Sequence, residues 1–286
     1  ELAVLERRAT EHWVRVQEEL GLDILVDGEM YRGDMATYFA EHLDGFKIGG
    51  LVRSYGNRYY RKPVAVGPVG LRQPVTVDWW RYAQGLTDRP VKGMLTGPYT
   101  IADWSFDEHY PSREAFIMDL AGALHEEVMA LQRAGCRYVQ IDEPAISVRP
   151  EEMQLAKKAL GVVTRGVSAY TLTHVCYGRF DAVGADLVSL PVDNLDLELA
   201  NSDFHLLDLL AQHGFSKTLS AGVVDVHSHV VESVEQVKQG IRRVLQRLPA
   251  DRVWVDPDCG LKTRTEEEAV AKLRVIVEAA AEVRQE

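Results

Sequence analysis

The chain has 286 residues, with 32 Lys and Arg against 43 Asp and Glu, so its formal net charge is −11. An acidic chain without a basic block lacks the surface that neutralises phosphates, which argues against a nucleic-acid partner. Because no apolar run approaches the ~20 residues needed to cross a bilayer, and the charged start is unlike a signal peptide, we expect a cytoplasmic protein without membrane contact.

Short apolar segments alternate with stretches of helical period, which predicts a parallel sheet wrapped by helices. Residues 1–20 have the spacing of an amphipathic helix, with Leu5, Trp13, Val14, Val16 and Leu20 as its apolar face. Further helices are predicted at about 112–134 and 265–284, and a β-hairpin insertion at about 47–66 with Gly56 and Asn57 at its turn. Seven strands are predicted at residues 23–27, 91–95, 138–142, 170–174, 195–198, 219–225 and 253–256.

The predicted pattern is that of an α/β fold, a TIM-type (β/α)8 barrel. A barrel of this type needs eight strand–helix units and takes ~250 residues. Since seven strands are one too few, and no strand precedes the first helix, we expect the first strand to lie upstream of residue 1. No linker or low-complexity tract divides the chain, so we predict one catalytic barrel domain over residues 1–286.

Candidate metal ligands stand where predicted strands end, on the face that carries the active site in such barrels. His174 and Cys176 are two residues apart, so in an extended chain both point to one side and form half of a zinc site. Alone, such a pair is more often packing. Cys259 follows the last strand and Glu198 ends the strand after His174, so the four could complete a His/Cys/Cys/Glu tetrahedron.

The cysteines and the charge of this site indicate its chemistry. Three cysteines, an odd number far apart, do not form a disulfide framework and leave reduced thiols. Two thiolates and a carboxylate would make a zinc ion electron-rich and a poor activator of water. Such a site suits holding an incoming thiol as a thiolate at neutral pH. Glu198 would be displaced by that thiol, because oxygen binds this metal more weakly than sulfur does.

Six short sequence motifs follow one another along the chain, each occurring at one position. They are GE at 28–29 with DM at 34–35, KGMLTGP at 92–98 leading to WSF at 104–106, QIDEPA at 140–145, THVCY at 173–177, DVHS at 225–228 and PDCGLKTR at 257–264. Together they resemble the C-terminal catalytic barrel of the cobalamin-independent methionine synthase family, in its short single-barrel version. Such an ordered set is far more specific than any of its parts.

The resemblance implies an enzyme of methionine biosynthesis. It implies a zinc-dependent methyltransferase that methylates the thiol of homocysteine and so produces methionine. The zinc ligands that it implies are His174, Cys176, Glu198 and Cys259.

The resemblance also implies roles in substrate binding and catalysis. Glu29 and Asp142 would bind the amino group of homocysteine, as two carboxylates facing an ammonium can. Trp104 would stack on the pterin of a folate donor, and His227 would handle the proton. The implied catalytic residues are therefore His227 and Asp142. Without the resemblance, Trp104 could equally be an aromatic residue covering the core, and His227 a structural histidine.

The methyl donor stays open between 5-methyltetrahydrofolate and a methylcorrinoid such as methylcobalamin. Residues 146–150 depart from the family sequence near the folate site, and no second barrel corresponds to the one that helps hold the polyglutamate tail. Both features slightly favour the corrinoid, free or on a corrinoid carrier protein. Trp104 and His227 keep folate open, because a tertiary amine leaves only after protonation.

Two alternatives remain at this point. Another zinc-thiol alkyltransferase of the superfamily, such as one that opens an epoxide with coenzyme M, would share the barrel and the thiolate chemistry but would need cationic partners for a sulfonate. A non-catalytic zinc-binding scaffold would need no cavity beside the metal. Structural zinc sites usually draw their ligands from short loops, whereas here they would come from three strands. A uroporphyrinogen-decarboxylase-like barrel is a more distant possibility.

Overall fold

The structure is a computed structural model that describes residues 1–53, 59–176 and 180–286, apart from the side chains of residues 181 and 182. Its helices are α1 (Leu2–Leu20), α2 (Met35–His42), α3 (Val77–Gln84), α4 (Pro98–Asp103), α5 (Arg113–Ala134), α6 (Met153–Val163), α7 (Phe180–Leu187), α8 (His205–Gln212), α9 (Val234–Leu245) and α10 (Glu266–Val283). Its strands are β1 (Leu43–Arg53), β2 (Tyr59–Leu71), β3 (Gly93–Thr96), β4 (Phe106–Asp107), β5 (Tyr138–Asp142), β6 (Tyr170–Val175), β7 (Asn194–Glu198), β8 (Thr218–Gly222) and β9 (Val253–Asp256).

Six parallel strands form the main sheet in the order β3-β5-β6-β7-β8-β9. Their order in space follows their order in the chain, with helices in the connections, as the predicted barrel pattern requires. Ahead of β3, Leu25 forms a parallel bridge to Val91 and extends the sheet by one more position. The seven predicted strand positions are thus confirmed, although the first is only a bridge and the strand predicted at 219–225 ends at Gly222.

Helix α1 covers the edge of the sheet beside the Leu25 bridge. The buried amide of Gln17 donates to the carbonyl of Val26 and accepts from its N–H, each at 2.9 Å, much as a neighbouring strand would. Val14 on the same face is fully buried, whereas Leu5, which belongs to the predicted apolar face, is 54% exposed. The strand expected upstream of residue 1 stays a prediction.

The predicted hairpin and the two long helices are confirmed. Strands β1 and β2 pair antiparallel over more residues than expected, and β4 adds a parallel strand to them; the predicted turn at Gly56 and Asn57 lies outside the described residues. Ser112 caps α5 by accepting from the N–H of Ala115, as a helix start requires. Thr265 and Glu268 form a capping box at the start of α10.

The two ends of the main sheet differ in chemistry. At the amino ends of the strands, the rings of Tyr138, Tyr170 and Trp254 pack together with centroids 5.4–5.9 Å apart. The predicted ligands and acids lie at or beyond the opposite, carboxyl ends. In the part of the chain that the structure describes, no helix combines the length and the apolar character needed to span a membrane.

Candidate functional site

Three metal-ligating side chains meet at the carboxyl end of the main sheet. His174 lies near the end of β6, Cys176 follows that strand, and Cys259 lies in the loop after β9. Each side chain offers one ligand atom, and these atoms lie within 4.8 Å of one another. The two Sγ atoms are 3.8 Å apart, which matches the separation of about 3.8 Å expected for two sulfurs that bind tetrahedral zinc at about 2.3 Å.

One buried nitrogen of this group indicates a metal ligand. Nε2 of His174 is shielded from solvent and has no hydrogen-bond partner among the described residues. Because buried polar atoms are almost always paired, an orphaned imidazole nitrogen beside two thiols is what a metal-binding histidine shows. Imidazole nitrogen and thiolate sulfur are ligands that zinc accepts. The residues present therefore fit this ion.

Electrostatic interactions favour a positive charge between these side chains. Burial opposes a charged imidazole, but Asp196 and Cys176 outweigh burial and raise the pKa of His174. The hydrogen bond between the two sulfurs lowers the pKa of Cys259 against the effect of burial, and His174 adds to that lowering. A proton on the imidazole offsets the negative charge of Asp196 and of the cysteine sulfurs, and a divalent cation at the same place would offset it as well.

Asp196, which was not among the predicted site residues, lies beside His174. Its Oδ1 lies 3.2 Å from Nδ1 of the imidazole, and the two residues are paired on neighbouring strands. Metal-binding histidines commonly present their second nitrogen to a carboxylate, which fixes the ring and leaves the other nitrogen to the metal. The sequence signal that could have identified Asp196 was its spacing from Glu198. Residues two apart in a strand lie on the same face, so Asp196 and Glu198 share a face of β7.

The fourth predicted ligand, Glu198, is buried at the end of β7, but its carboxylate does not belong to the close group of three. Its loop is fastened to the Cys259 loop by Asp258, which is fully buried. The Asp258 carboxylate accepts hydrogen bonds of 2.7–3.0 Å from the backbone N–H groups of residues 199–201. The two loops are thereby held together, and Glu198 as a ligand stays a prediction.

Glu29 lies in the loop beyond Leu25, with a left-handed φ of 53°, and forms an ion pair with Arg32. The Arg32 side chain is 3% exposed and also donates to the carbonyl of Met94 at 2.8 Å. This arginine was not among the predicted site residues, although it stands three residues after Glu29. Because its guanidinium is buried, it holds the carboxylate in place rather than meeting a ligand. The rings around the guanidinium are those of Tyr31, Tyr38 and Phe39, with centroids 5.2–5.5 Å from its carbon.

Asp142 ends β5, close enough to Glu29 for the two charges to interact. The side-chain amide of Gln140 donates to its Oδ1 at 2.8 Å, and Lys92 donates to the side-chain oxygen Oε1 of Gln140 at 2.7 Å. Burial raises the pKa of Asp142 to about 7, with His174 opposing the rise and Glu29 adding to it. Two carboxyl groups that influence each other's charge, near His174, provide the arrangement expected for binding an ammonium.

Glu143, next to Asp142, is structural. Its buried carboxylate accepts hydrogen bonds of 2.6–3.0 Å from the backbone of Tyr99 and from the backbone and hydroxyl of Thr100. These bonds fix the first turn of α4, the helix that leads to Trp104. They also require that the Glu143 carboxylate lie close to the backbone of Gly97. A Cβ added to Gly97 would lie 2.1 Å from the Glu143 carboxyl carbon.

Replacing Gly97 with alanine is expected to lower the free energy of unfolding by about 1–3 kcal/mol, because the added methyl group must push the Glu143 carboxylate off α4. Urea unfolding at pH 8 measures the change. Gly122→Ala is the matched control, since this glycine lies inside α5 with no atom near an added Cβ. It is expected to leave stability unchanged or higher by up to about 1 kcal/mol. Equal stability of Gly97→Ala and wild type would contradict this account.

Trp104 and His227 lie on other loops of the same face. Trp104 ends α4, and its carbonyl accepts from the hydroxyl of Tyr60 at 3.3 Å, with the two rings 6.3 Å apart. His227 follows β8 and is exposed, and its N–H donates to Asp225 at 2.7 Å. The structure thus places both residues at the predicted face without placing either in the group of three ligands. Their roles stay predictions.

Comparisons with known proteins identify the family of this chain. A family model described as the catalytic domain of the cobalamin-independent synthase matches residues 3–282. The chain belongs to the cobalamin-independent methionine synthase family. It is 40% identical over 268 residues to a methionine synthase from Saccharolobus solfataricus, covering 93% of this chain and 80% of that protein.

Two further relatives of this synthase family differ in length. The chain is 43% identical over 284 residues to a 5-methyltetrahydropteroyltriglutamate–homocysteine methyltransferase from Citrobacter koseri, covering 94% of this chain but only 37% of that protein. The structure of a B12-independent methionine synthase from a Shewanella species, in complex with selenomethionine, superposes with a TM-score of 0.92 at 29% identity. That match covers 100% of this chain and 89% of the other.

These findings confirm the family resemblance and the TIM-type α/β fold. The chain is a methyltransferase of the methionine synthase type. The slight preference for a methylcorrinoid donor gains no support, because the family is described as cobalamin-independent and the Citrobacter relative is named for a folate donor.

Proposed function

We propose that this chain transfers the methyl group of a 5-methyltetrahydropteroyl polyglutamate to the thiol of homocysteine, giving methionine, and that it requires zinc. The observation that carries the proposal is the close group of His174, Cys176 and Cys259 at the carboxyl end of the sheet. In a chain of this family, a site rich in sulfur ligands suits the activation of a thiol substrate better than the activation of water.

The metal would be held by those three side chains, with Glu198 as the fourth ligand. When bound, zinc lowers the pKa of a thiol that joins its ligands, so that the thiol becomes a nucleophilic thiolate at neutral pH. Asp196, whose Oδ1 lies 3.2 Å from Nδ1 of His174, would hold the imidazole in the required orientation. Cys259 is only partly buried, which favours a site that a substrate can reach over a sealed structural zinc site.

Two acids at the same end of the sheet would bind the amino acid. Glu29 and Asp142 would accept hydrogen bonds from the substrate ammonium, and Arg32 would keep the Glu29 carboxylate in place from below. This arrangement disfavours the coenzyme M alternative, because a sulfonate needs an accessible cation. Arg32 is buried and already paired with Glu29, so it cannot serve that purpose.

The transfer itself balances without an oxidant. The sulfur of homocysteine forms a bond to the methyl carbon, the bond from that carbon to N5 of the folate breaks, and its electron pair stays on N5. The thiol proton leaves the substrate and a proton is added to N5, so the overall change is neutral. His227, exposed on the loop after β8, would deliver the proton to N5, while Trp104 would stack against the pterin.

A donor comparison tests the proposal. The chain, homocysteine and one equivalent of zinc are supplied with either 5-methyltetrahydropteroyltriglutamate or methylcobalamin, and methionine is measured. We expect methionine from the folate, and His227→Asn is expected to lower the folate-dependent rate by about 10²–10⁴-fold, which is the usual contribution of a general acid. Methionine from methylcobalamin alone would replace the folate with a corrinoid donor, and no methionine from either would reject the proposed activity.

A further inference from the structure

The loop between β8 and α9 carries His227, and a fully buried lysine on α10 fastens it. Lys272 is 0% exposed. Its Nζ donates to the carbonyl of Val230 and, at 2.8 Å, to Oε2 of Glu232. Both partners belong to the loop, so a positive charge on an outer helix holds the loop's second half against the barrel.

The contacts continue from Glu232 to His227. The other oxygen of Glu232, Oε1, accepts a hydrogen bond of 2.9 Å from the N–H of Asp225. The carboxylate of Asp225 accepts one of 2.7 Å from the N–H of His227. The ammonium of Lys272 is therefore linked to the backbone of His227 through two carboxylates, and this chain of contacts joins the two halves of the loop.

A buried lysine in this position calls for an explanation. Lysine is almost never fully buried unless it is paired, since removing its charge from water is unfavourable. An apolar side chain could fill the same space against the loop without that penalty, so a buried ion pair is weak evidence for stability alone. What the ion pair adds is specificity for one loop conformation, because Lys272 donates hydrogen bonds to two particular oxygens of the loop.

Another contact between the same helix and loop is weaker. Nδ1 of His229 lies 2.8 Å from Oε1 of Glu268 on α10, but the His229 side chain is 73% exposed. Exposed ion pairs of this kind contribute little, because water and salt screen them. The buried Lys272 contact is therefore the one that can fix the loop.

We propose that Lys272 is a positioning residue for methyl transfer, which sets the place of the His227 ring through Glu232 and Asp225. The proposal rests on the proposed function, in which His227 protonates N5 of the folate. Lys272 itself touches no reacting atom. Its substitution should therefore lower the catalytic rate with folate. Homocysteine binding and the metal group of His174, Cys176 and Cys259, whose residues lie outside the loop after β8, should stay as they are.

Lys272→Met tests this inference, because methionine keeps the apolar stem and removes the charge. We expect kcat for folate-dependent transfer to fall about 10–100-fold, as a displacement of roughly 1 Å of a catalytic group can cause. The KM for homocysteine and the zinc content are expected to be unchanged. Amide hydrogen exchange at Asp225 and His227 should become faster. Unchanged kcat or unchanged exchange in a folded variant would overturn the inference.

Two further variants control for folding and for the loss of a charge. Lys272→Met with Glu232→Gln leaves no unpaired charge under the loop, and it is expected to fold and to keep the kcat defect. Lys238→Met removes an ion-paired lysine from α9, whose 2.7 Å partner is Glu282 on α10, and it is expected to have wild-type kcat. A kcat loss in Lys238→Met as large as that in Lys272→Met would overturn the inference.

A double-mutant cycle with His227→Asn separates the two proposals. If Lys272 acts through His227, Lys272→Met adds no further loss of kcat in the His227→Asn enzyme. Independent, multiplying losses would overturn the positioning role and leave the acid role of His227 intact. Wild-type kcat in His227→Asn would instead reject the acid role in the proposed function, and the inference with it.

Discussion

Cys259→Ala is expected to lower zinc retention and to abolish methyl transfer. The Cys259 sulfur lies 3.8 Å from that of Cys176, and both belong to the group that includes His174. Zinc binding by four such ligands is worth about 10–16 kcal/mol, so the loss of one ligand should weaken affinity by about 10²–10³-fold. Elemental analysis after dialysis should show less zinc per chain, and methionine formation should fall to background.

Cys136→Ala is the matched control for this prediction. Cys136 is a buried thiol that donates to the carbonyl of Tyr138 and lies outside the metal group. Its removal is expected to keep the zinc content and kcat of the wild type, at some loss of stability. A Cys259→Ala protein that is active without metal would contradict the proposed mechanism. Loss of zinc in both variants would point to unfolding instead.

The metal group was predictable because it depends on sheet topology rather than on side-chain packing. His174 and Cys176 share one strand face, and the carboxyl ends of parallel strands meet at one end of the sheet, so Cys259 approaches them across 83 residues of chain. The order of strands in space follows the chain order, which the alternation of strands and helices predicts. The motif pattern added the identity of the family.

What the sequence did not reveal are contacts made by side chains across elements. Arginine is usually a surface residue, and only the fold shows that the Arg32 guanidinium is buried and paired with Glu29. Lys272 belongs to a helix whose charged residues are otherwise mostly exposed, and its burial depends on how α10 packs against the loop after β8. Leu5 fits the apolar period of α1 but is 54% exposed. Periodicity predicts a face, whereas tertiary packing determines what meets it.

Asp142→Asn is expected to weaken homocysteine binding to the zinc-loaded protein by about 2–5 kcal/mol, or roughly 30–5,000-fold in Kd, because a buried ammonium would lose one of its two carboxylate partners. Zinc content should not change, since Asp142 is not in the metal group. Isothermal titration with homocysteine measures the effect. Asp78→Asn, which removes a carboxylate from the surface of α3, serves as the control with wild-type affinity.

The raised pKa of Asp142 gives this prediction a second, independent part. Because burial raises the pKa from 3.8 to about 7, the folded protein holds this proton over a pH range in which the unfolded chain releases it. The group therefore stabilises the fold at low pH, and this contribution is lost as the pH rises from about 4 to about 7. Asparagine cannot ionise, so metal-free Asp142→Asn should be more stable than wild type above pH 7 and should show a smaller decrease in stability between pH 4 and 7. A variant that binds homocysteine weakly and is also less stable at pH 8 would mean that Asp142 serves the fold. Higher stability together with lost binding would identify a carboxylate that is retained for its substrate at the expense of stability.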